Sequence, residues 1–378
     1  MNEELSYWLA LAHMPKLRTK KKNEIIVQLF EEQKTIIDFF HFEPKQWKDN
    51  YELNENEILV FQNAIKELSN YAFMVEDLLE QGYSILPITS PEYSPILKKN
   101  LGRTYAPPLI YTKGNKAIMK EKSVAIVGSR KADKISLNFT DNVAKTASKD
   151  YKVVVSGFAK GVDKQALDSA LKYKGQSIIV LPQGISTFNS GFKKYYKQII
   201  DGDVVVLSTF FPKAPWSVGL AMARNPIIYG LASEIFVAES SDKGGTWSGV
   251  VDGLRKGRKI FVRKPELNEK NANNLLIQKG AVPVNAKGDI LSYEQHVEIY
   301  QNIVSEPDLN DIENKIIEHL KKGVFTSKKI VETLNLTWSS RKVSSFLKKQ
   351  DEIITMEGKP LKFSHKKRTG PSQKTLFG

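Results

Sequence analysis

The sequence predicts an α/β protein whose main domain is a doubly wound, mostly parallel sheet. Between residues 121 and 285, short runs rich in valine and isoleucine alternate with helical stretches of about ten residues or more. Such alternation is typical of parallel strands joined by crossover helices. Apolar residues at helical spacing fill residues 1–82 and recur after residue 309. A helical domain should therefore precede the sheet, and a smaller unit should follow it.

The first 82 residues are predicted to form an N-terminal domain of small helices. The segment Lys16–Lys22 within it is basic, and we interpret it as a solvated face in preference to a DNA contact. The apolar positions that keep helical spacing are Leu5, Trp8, Leu9, Ala12, Ile25, Ile26, Leu29, Phe30, Ile58, Phe61, Ile65 and Leu68.

Residues 83–300 are predicted to form the sheet domain. A proline-containing stretch from Tyr83 to Asn115 has short strand-forming runs and should pair onto the sheet as a lead-in. The polar run Asn268–Asn274 is predicted to be a loop. The strands expected in the alternating region are Val124–Val127, Lys152–Val155, Ser177–Leu181, Val204–Leu207, Ile235–Ala238 and Lys259–Val262.

Residues 309–364 are predicted to form a winged-helix domain. One apolar helical stripe runs through Ile312 and Leu320, Thr326 or Ser327 can cap a second helix, and Thr337 can cap a third. The runs E-I-I-T-M and L-K-F then form a hairpin. Three short helices followed by a hairpin are typical of a winged helix, which binds either DNA or protein. The polar, basic residues 365–378 should form a flexible tail.

Composition narrows the classes of function. The net charge is +14, and residues 310–378 contribute 15 lysines and arginines against 7 acidic residues, which favours an acidic polymer as a partner. The absence of cysteine excludes disulfides and thiolate metal sites, and the five scattered histidines give no ligand spacing, so neither metal nor cofactor is expected. No apolar run approaches 18 residues and no signal-peptide pattern is present, so we expect a cytoplasmic protein without a membrane partner.

Small-residue turns follow three of the predicted strands. Because the carboxyl ends of parallel strands meet at one edge of a sheet, their amides should face one crevice and hold an anion at helix N-termini. Basic side chains stand beside each turn and can neutralise phosphate. The candidate phosphate- and DNA-binding residues, including the nearby A-R-N-P stretch, are Gly128, Ser129, Arg130, Lys131, Ser156, Gly157, Lys160, Lys164, Arg224, Asn225, Lys243, Gly245 and Thr246.

Each of these features also has an ordinary structural role. Glycine is common after strands because α/β turns require it, and an arginine such as Arg224 is often a surface helix residue. Asp163 either caps the helix after Gly161 or belongs to the site, and Trp247 either packs or stacks on a base. Three equivalent turns, each with a basic neighbour, favour a ligand site over coincidence.

These residues carry a resemblance to the DNA-processing protein A family (DprA, also called Smf). The matching stretches include V-A-I-V-G-S-R, V-V-V-S-G-F-A-K-G-V-D, S-I-I-V-L-P-Q-G-I, A-R-N-P-I-I-Y-G-L-A and G-G-T-W-S-G-V, in order over about residues 84–285. The resemblance implies an extended Rossmann-like domain that binds single-stranded DNA. It also implies a homodimer that loads a RecA-type recombinase during DNA uptake, as in transformation, or during DNA recombination and repair.

The chain departs from the family pattern at several positions. Leu167 stands where the family has histidine, and Arg224-Asn225-Pro226 replaces Arg-Asn-Arg. Asn189-Ser190 replaces Tyr-Pro, and Ser208-Thr209 replaces Ser-Glu. The sequence is therefore a divergent member, in which the dimer surface and the recombinase contact do not follow from the resemblance.

Two classes of function remain open. The first is a non-enzymatic single-stranded DNA binder that acts as a recombination mediator. The second is a nucleotide-binding or nucleotide-processing enzyme of the LOG-like type, whose motif is G-G-x-G-T-x-x-E. In this sequence Gly249 occupies the position of the catalytic glutamate, so no general base is placed, and we prefer the binder.

The last residues suggest a further partner. Gln373, Leu376 and Phe377 resemble the Q-x-x-L-F peptide by which bacterial DNA-repair proteins dock on the replication sliding clamp. A flexible tail would present Leu376 and Phe377 as its apolar anchors. A tail whose Leu-Phe pair folds back on the domain is an equally open interpretation.

Overall fold

The computed structural model describes residues 2–266, 268–291, 309–336, 338–356, 358 and 360–366. The chain divides into two compact units, Met1–Leu291 and Ser292–Gly378. The described part contains no helix that is long and apolar enough to cross a membrane.

Fourteen helices are described in the first unit. They are α1 (Asn2–His13), α2 (Thr19–Glu31), α3 (Ile36–Phe40), α4 (Pro44–Tyr51), α5 (Glu55–Lys66), α6 (Leu68–Glu80), α7 (Pro95–Tyr105), α8 (Lys134–Lys149), α9 (Val162–Lys172), α10 (Asn189–Lys194), α11 (Tyr196–Ile200), α12 (Val218–Leu231), α13 (Gly245–Arg255) and α14 (Asn273–Gln278). Short 3-10 helices lie at Lys116–Lys120 and Ile185–Thr187.

Nine strands of the first unit form one sheet. The strands are β1 (Ser84–Pro87), β2 (Leu109–Gly114), β3 (Ser123–Val127), β4 (Val153–Ser156), β5 (Ser177–Val180), β6 (Val204–Ser208), β7 (Glu234–Val237), β8 (Ile260–Arg263) and β9 (Val282–Val284). Their order across the sheet is β1-β2-β6-β5-β4-β3-β7-β8-β9. All neighbouring pairs from β6 to β9 are parallel, whereas β1 and β2, which come from the predicted lead-in, pair onto this sheet as an antiparallel edge.

The six strands predicted in the alternating region are all confirmed. Their valines and isoleucines are buried because helices cover both faces of the parallel sheet. The predicted loop Asn268–Asn274 is wrong at its end, because α14 already begins at Asn273. The buried Asn273 amide donates to the carbonyls of Ala238 and Arg263, so this polar residue fixes the start of the helix to the sheet.

The predicted N-terminal helices share their core with the sheet. One hydrophobic cluster joins Leu9, Phe39 and Trp47 of the helices to Val205 and Ile235 of the strands. A second cluster covers the other face of the sheet beneath α8 and α9. The domain boundary at residue 82 falls inside the first compact unit and stays a prediction.

In the second unit, the described residues form three helices and a small antiparallel sheet. The helices are α15 (Leu309–Lys321), α16 (Ser327–Thr333) and α17 (Ser340–Leu347), and the strands β10 (Phe325–Thr326), β11 (Ile353–Met356) and β12 (Lys362–His365) pair in the order β10-β12-β11. The hairpin is confirmed, and Thr326 caps α16. The cap of α17 is Ser339, not the predicted Thr337, which lies outside the described residues.

Candidate functional site

A cavity of about 350 Å³ opens at the carboxyl ends of β3 and β7 in the first unit. Its position is the one at which open α/β sheets bind ligands. Its lining residues are Val127, Gly128, Ser129, Arg130, Ala159, Asp163, Val218, Ala221, Met222, Arg224, Asn225, Ile228, Tyr229, Ser240, Ser241, Lys243, Gly244, Gly245 and Thr246.

One face of α12 forms a wall of this cavity. Ala221, Asn225 and Ile228 recur at three- and four-residue spacing, so the same side of the helix faces the opening. Arg224 and Tyr229 flank this stripe, and both are buried. Sequence reasoning identified Arg224 and Asn225 but missed Tyr229, although its distance of four residues from Asn225 was a usable signal.

Arg224 and Asp163 form a buried pair in the cavity wall. The guanidinium Nη1 lies 3.6 Å from the Asp163 carboxylate, with side-chain exposures of 4% and 10%. Burial raises the pKa of Asp163 above its ordinary value, and Arg224 and the amides of Ala159 and Gly157 oppose that rise. Asp163 therefore orients Arg224 and closes the turn between β4 and α9. The alternative that it caps the helix is wrong, because α9 has no side-chain cap at Gly161 and Asp163 accepts from amides that precede the helix.

The first predicted turn does not offer a free helix N-terminus. The amide of Ser129 donates to the carbonyl of Glu239 at 3.0 Å, and α8 begins only at Lys134, where the Asp133 carboxylate accepts from Ser136 N. The Glu239 carboxylate also accepts from the hydroxyl of Ser136. Two carboxylates thus occupy the end of α8 that the sequence assigned to an anion, so that assignment is wrong. The turn contributes the Arg130 side chain instead.

The second predicted turn is also occupied internally. The amides of Gly157 and Ala159 bond to the Asp163 carboxylate, and Val162 N donates to the carbonyl of Ser129. These three amides are therefore not free for a ligand, contrary to the expectation for this turn. Of the candidates near it, Ser156 and Gly157 are buried, and Lys160, Lys164 and the preceding Lys131 are exposed outside the cavity lining.

Gly157 has a steric role beneath the cavity. A β-carbon at this position would lie 1.1 Å from Arg224 Nη1, so only glycine leaves room for the guanidinium. The sequence predicted that Gly157 binds the ligand. In the structure, Gly157 packs against the Arg224 guanidinium and leaves the space that this side chain occupies.

The third predicted turn keeps an open helix N-terminus. No side chain of the described residues caps α13 at Gly244, and the first amides of a helix have no partner within it. The Thr246 hydroxyl donates to the carbonyl of Gly128 at 3.1 Å, which ties this turn to the first. Lys243 and Arg130 stand beside the opening, so positive side chains and a helix dipole meet in one cavity.

Within the part of the chain that the structure describes, two buried polar atoms of the cavity wall lack hydrogen-bond partners. They are Arg224 Nε and the Tyr229 hydroxyl oxygen. Burial also raises the pKa of Tyr229 above its ordinary value, so the hydroxyl stays protonated and can donate. Because buried polar groups are normally paired, these two atoms mark the cavity as a place for a polar ligand.

A family model described as DNA recombination-mediator protein A matches residues 84–295, which include the whole cavity. The chain belongs to this family. The DNA processing protein DprA of Streptococcus pneumoniae is 32% identical over 189 residues, which is 50% of this chain and 67% of that protein. DprA of Bacillus subtilis is 28% identical over 218 residues, covering 56% of this chain and 71% of that protein.

A solved structure shares the fold. The crystal structure of DprA from Streptococcus pneumoniae aligns with a TM-score of 0.60 at 23% identity, over 81% of this chain and 98% of that one. The large mostly parallel sheet and the helices before it are therefore features of a fold already seen in this family.

The structure gives the surroundings of two departures from the family pattern. Leu167 is buried in the core on the inner side of α9, where an apolar side chain packs without needing a hydrogen bond. Pro226 lies on the exposed side of α12, away from the cavity lining.

Gln373, Leu376 and Phe377 lie outside the described residues, so the clamp-docking hypothesis stays a prediction.

Proposed function

We propose that this chain binds single-stranded DNA at the cavity and acts as a non-enzymatic recombination mediator. The observation that carries the proposal is the meeting of Arg130, Arg224 and Lys243 with the open N-terminus of α13 in one cavity. Cationic side chains and free amides together suit a phosphate. Membership of the DNA recombination-mediator family supports a nucleic-acid backbone as the source of that phosphate.

A single strand suits this cavity better than a duplex does. The cavity is concave and of nucleotide size, so a phosphate must enter it from a flexible chain. A stiff duplex presents its phosphates on a convex surface and cannot bend into such a recess without cost. Single-stranded DNA should therefore displace duplex of equal nucleotide count, with little sequence preference. Tighter binding of the duplex would move the main site elsewhere.

The contact of Arg130 with phosphate can be tested by salt dependence. Arg130→Ala should weaken single-strand binding and lower the slope of log K against log salt by about 0.7, the value for one lost phosphate contact. Arg255→Ala is the matched control, because Arg255 is exposed at the far end of α13 and pairs with Asp252. Equal affinity of Arg130→Ala and the parent at moderate salt would contradict the proposal.

The lysines outside the cavity lining remain candidates for contacts farther along the strand. Lys131, Lys160 and Lys164 are exposed, so each can reach a phosphate of the strand at the protein surface. We expect Lys160→Ala to weaken binding less than Arg130→Ala does, because an exposed lysine contributes mainly long-range attraction.

A nucleotide-processing enzyme is the second candidate. The pocket is large enough for a nucleotide, but Gly249 lies on α13 where the LOG-like motif has glutamate. Asp163 is the one carboxylate in the described lining, and it already interacts with Arg224 and two backbone amides. Incubation with nucleoside monophosphates should therefore give no turnover, and measured turnover would favour the enzyme.

The family also suggests partners and an oligomeric state. We infer a cytoplasmic homodimer that loads a RecA-type recombinase onto the bound strand. Molar mass measured by light scattering, with and without single-stranded DNA, tests the dimer. Recombinase filament assembly on strands coated with a single-strand binding protein tests the loading, and no acceleration by this chain would contradict it.

We propose that residues 309–364 form a winged-helix module joined to a basic tail, predicted at 365–378, whose start moves past His365 because that residue ends β12. Three helices, a hairpin and a short third strand support this assignment. Deleting residues 310–378 should weaken DNA binding modestly, because it removes basic charge but leaves the cavity intact. Complete loss of binding would make this module the principal DNA site.

The tail supports one further proposal, docking on the sliding clamp through Gln373, Leu376 and Phe377. A fluorescent peptide of the last twelve residues should bind the host clamp. The double substitution Leu376→Ala with Phe377→Ala is the control. No binding at tens of micromolar clamp, or binding that the double substitution leaves unchanged, would reject the proposal.

A further inference from the structure

An exposed tryptophan stands at the entrance to α12. Trp216 is 50% exposed and belongs to none of the hydrophobic clusters of the described residues. Within the described parts of the chain its indole makes neither a hydrogen bond nor a ring contact. Tryptophan carries a large apolar surface and an N–H donor, both of which are normally used in a folded protein. A half-exposed indole for which the described residues provide neither a hydrogen bond nor a ring contact therefore needs an explanation.

The backbone on both sides of Trp216 is held in place. On the preceding side, Gly184 N donates to the carbonyl of Ala214 at 2.8 Å, and Ser186 N donates to that of Pro212 at 3.1 Å. On the following side, the Ser217 hydroxyl caps α12 by accepting from Leu220 N at 3.1 Å. The indole is thus presented from an ordered segment, so its exposure is not a consequence of a loose loop.

Trp216 lies two residues before Val218, the first residue of α12 and part of the cavity lining. Val218 and Met222 are 66% and 43% exposed, lie four residues apart on one side of α12, and both line the cavity. Arg130 and Lys243 line the same cavity. We call Trp216, Val218 and Met222 the apolar lip. The cavity thus has cationic and aliphatic lining residues, and an exposed aromatic residue lies next to them in the chain, so the surfaces that a nucleotide needs occur close together.

We propose that the apolar lip is a nucleobase-stacking site, in which Trp216 stacks on a base of the strand whose phosphate occupies the cavity. This inference rests on the proposed function. Stacking on an aromatic ring accepts any base because every base has a π-face, so the lip adds affinity without sequence preference. The positive charge beside the lip favours a nucleic acid over an apolar protein surface as the occupant.

The test separates base contacts from phosphate contacts. Fluorescence anisotropy compares an oligo-dT with an abasic strand of equal length and charge, each bound by the full chain. Trp216→Ala should bind the oligo-dT roughly tenfold more weakly, within the range for loss of one stacked base. It should bind the abasic strand as the parent does, with an unchanged salt slope. Trp216→Phe should retain most of the affinity.

Two variants serve as controls. Tyr151→Ala removes an aromatic side chain that is 92% exposed after α8 and should change neither affinity. Arg130→Ala should weaken the binding of both strands and lower the salt slope, whereas Trp216→Ala should weaken only the binding of oligo-dT.

Four outcomes would overturn the inference. Equal binding of oligo-dT by Trp216→Ala and the parent would remove the stacking contact while leaving the proposed function standing. Equal losses on the abasic strand would show that Trp216 acts through the fold or the phosphates. A change in molar mass without DNA, at unchanged DNA affinity, would make the lip a contact between copies of the chain. If the parent binds neither strand, the proposed function falls together with the lip.

Discussion

Two buried arginines at the carboxyl edge of the same sheet have very different surroundings. Arg263 ends β8 and is 1% exposed. Its Nε donates to the carbonyl of Ala238 at 3.0 Å, its Nη1 donates to Glu269 at 2.7 Å, and its Nη2 bonds to both Glu269 and the Ser136 hydroxyl. A forked pair of this kind is the strongest geometry available to an arginine and a carboxylate.

Arg224 is buried almost as deeply but is poorly paired. Its Nη1 lies 3.6 Å from Asp163 and 3.4 Å from the carbonyl of Val180, and its Nε has no partner. Burial lowers the pKa of Arg224, which Asp163 opposes. A buried guanidinium with unused donors costs free energy, and the cost is reduced when a ligand supplies acceptors. Incomplete pairing thus separates the arginine of the cavity from the arginine that holds the fold.

The largest expected effect follows from breaking the well-paired arginine. Arg263→Leu leaves Glu269 without its guanidinium partner and should lower the free energy of unfolding by about 3–5 kcal/mol. Urea unfolding measures this loss. The double variant Arg263→Leu with Glu269→Leu should recover part of it, because no charge is then left unpaired. Single-strand affinity per folded molecule should stay within about twofold of the parent, and a larger loss would erase the distinction between the two arginines.

A buried histidine extends the comparison to a group that is paired but uncharged. His13 bonds to the Tyr111 hydroxyl at 2.7 Å, and burial, with Lys22 nearby, lowers its pKa to about 3. The unfolded chain takes up a proton below about pH 6.5, whereas the folded protein does not. Stability should therefore fall as pH drops from 6.5 towards 3, by about 1.4 kcal/mol per pH unit.

Urea unfolding at pH 7, 5.5 and 4.5 tests the histidine. His13→Gln keeps a polar group opposite Tyr111 but cannot titrate, so it should lose this part of the pH dependence. An identical pH dependence in His13→Gln and the parent would assign the acid sensitivity to other groups.

Arg224 can be moved from its position by a substitution at Gly157, with no change to the arginine itself. Gly157→Ala places a methyl group where the Arg224 guanidinium lies, so the flexible side chain must leave its position. We expect single-strand affinity to fall about tenfold, with a smaller effect on stability than in Arg263→Leu. Gly219→Ala is the control, because its β-carbon meets only Ser217 Oγ at 3.8 Å. Unchanged affinity of Gly157→Ala would mean that Arg224 is not needed for binding.

The smallest expected effect concerns the second unpaired atom. Tyr229→Phe removes a buried hydroxyl without a partner, so stability should stay the same or rise by up to about 1 kcal/mol. If a bound strand uses that hydroxyl, affinity should fall severalfold at the same time. Thermal unfolding with and without oligo-dT measures both quantities. A loss of stability in the free protein would show that the hydroxyl already has a partner.

Much of the fold follows from local sequence. Each predicted strand is a run of β-branched residues, and each is buried in the sheet because helices cover both of its faces. The cap at Thr326 follows equally from its neighbours in the chain. The short strand β10 was missed because two residues, Phe325 and Thr326, carry no period of their own. Their pairing with β12 comes from residues nearly forty positions away.

The position of the cavity was also within reach of the sequence, since parallel strands bring their carboxyl ends to one edge. The sequence could not predict which backbone amides stay free at that edge. The Ser129 amide is used by Glu239, more than a hundred residues away, and the turn at Gly157 is closed by Asp163. Local pattern places glycines and arginines near a site. Hydrogen bonds between distant segments decide which donors remain for a ligand, because each buried donor or acceptor is satisfied by whichever partner the tertiary fold brings to it.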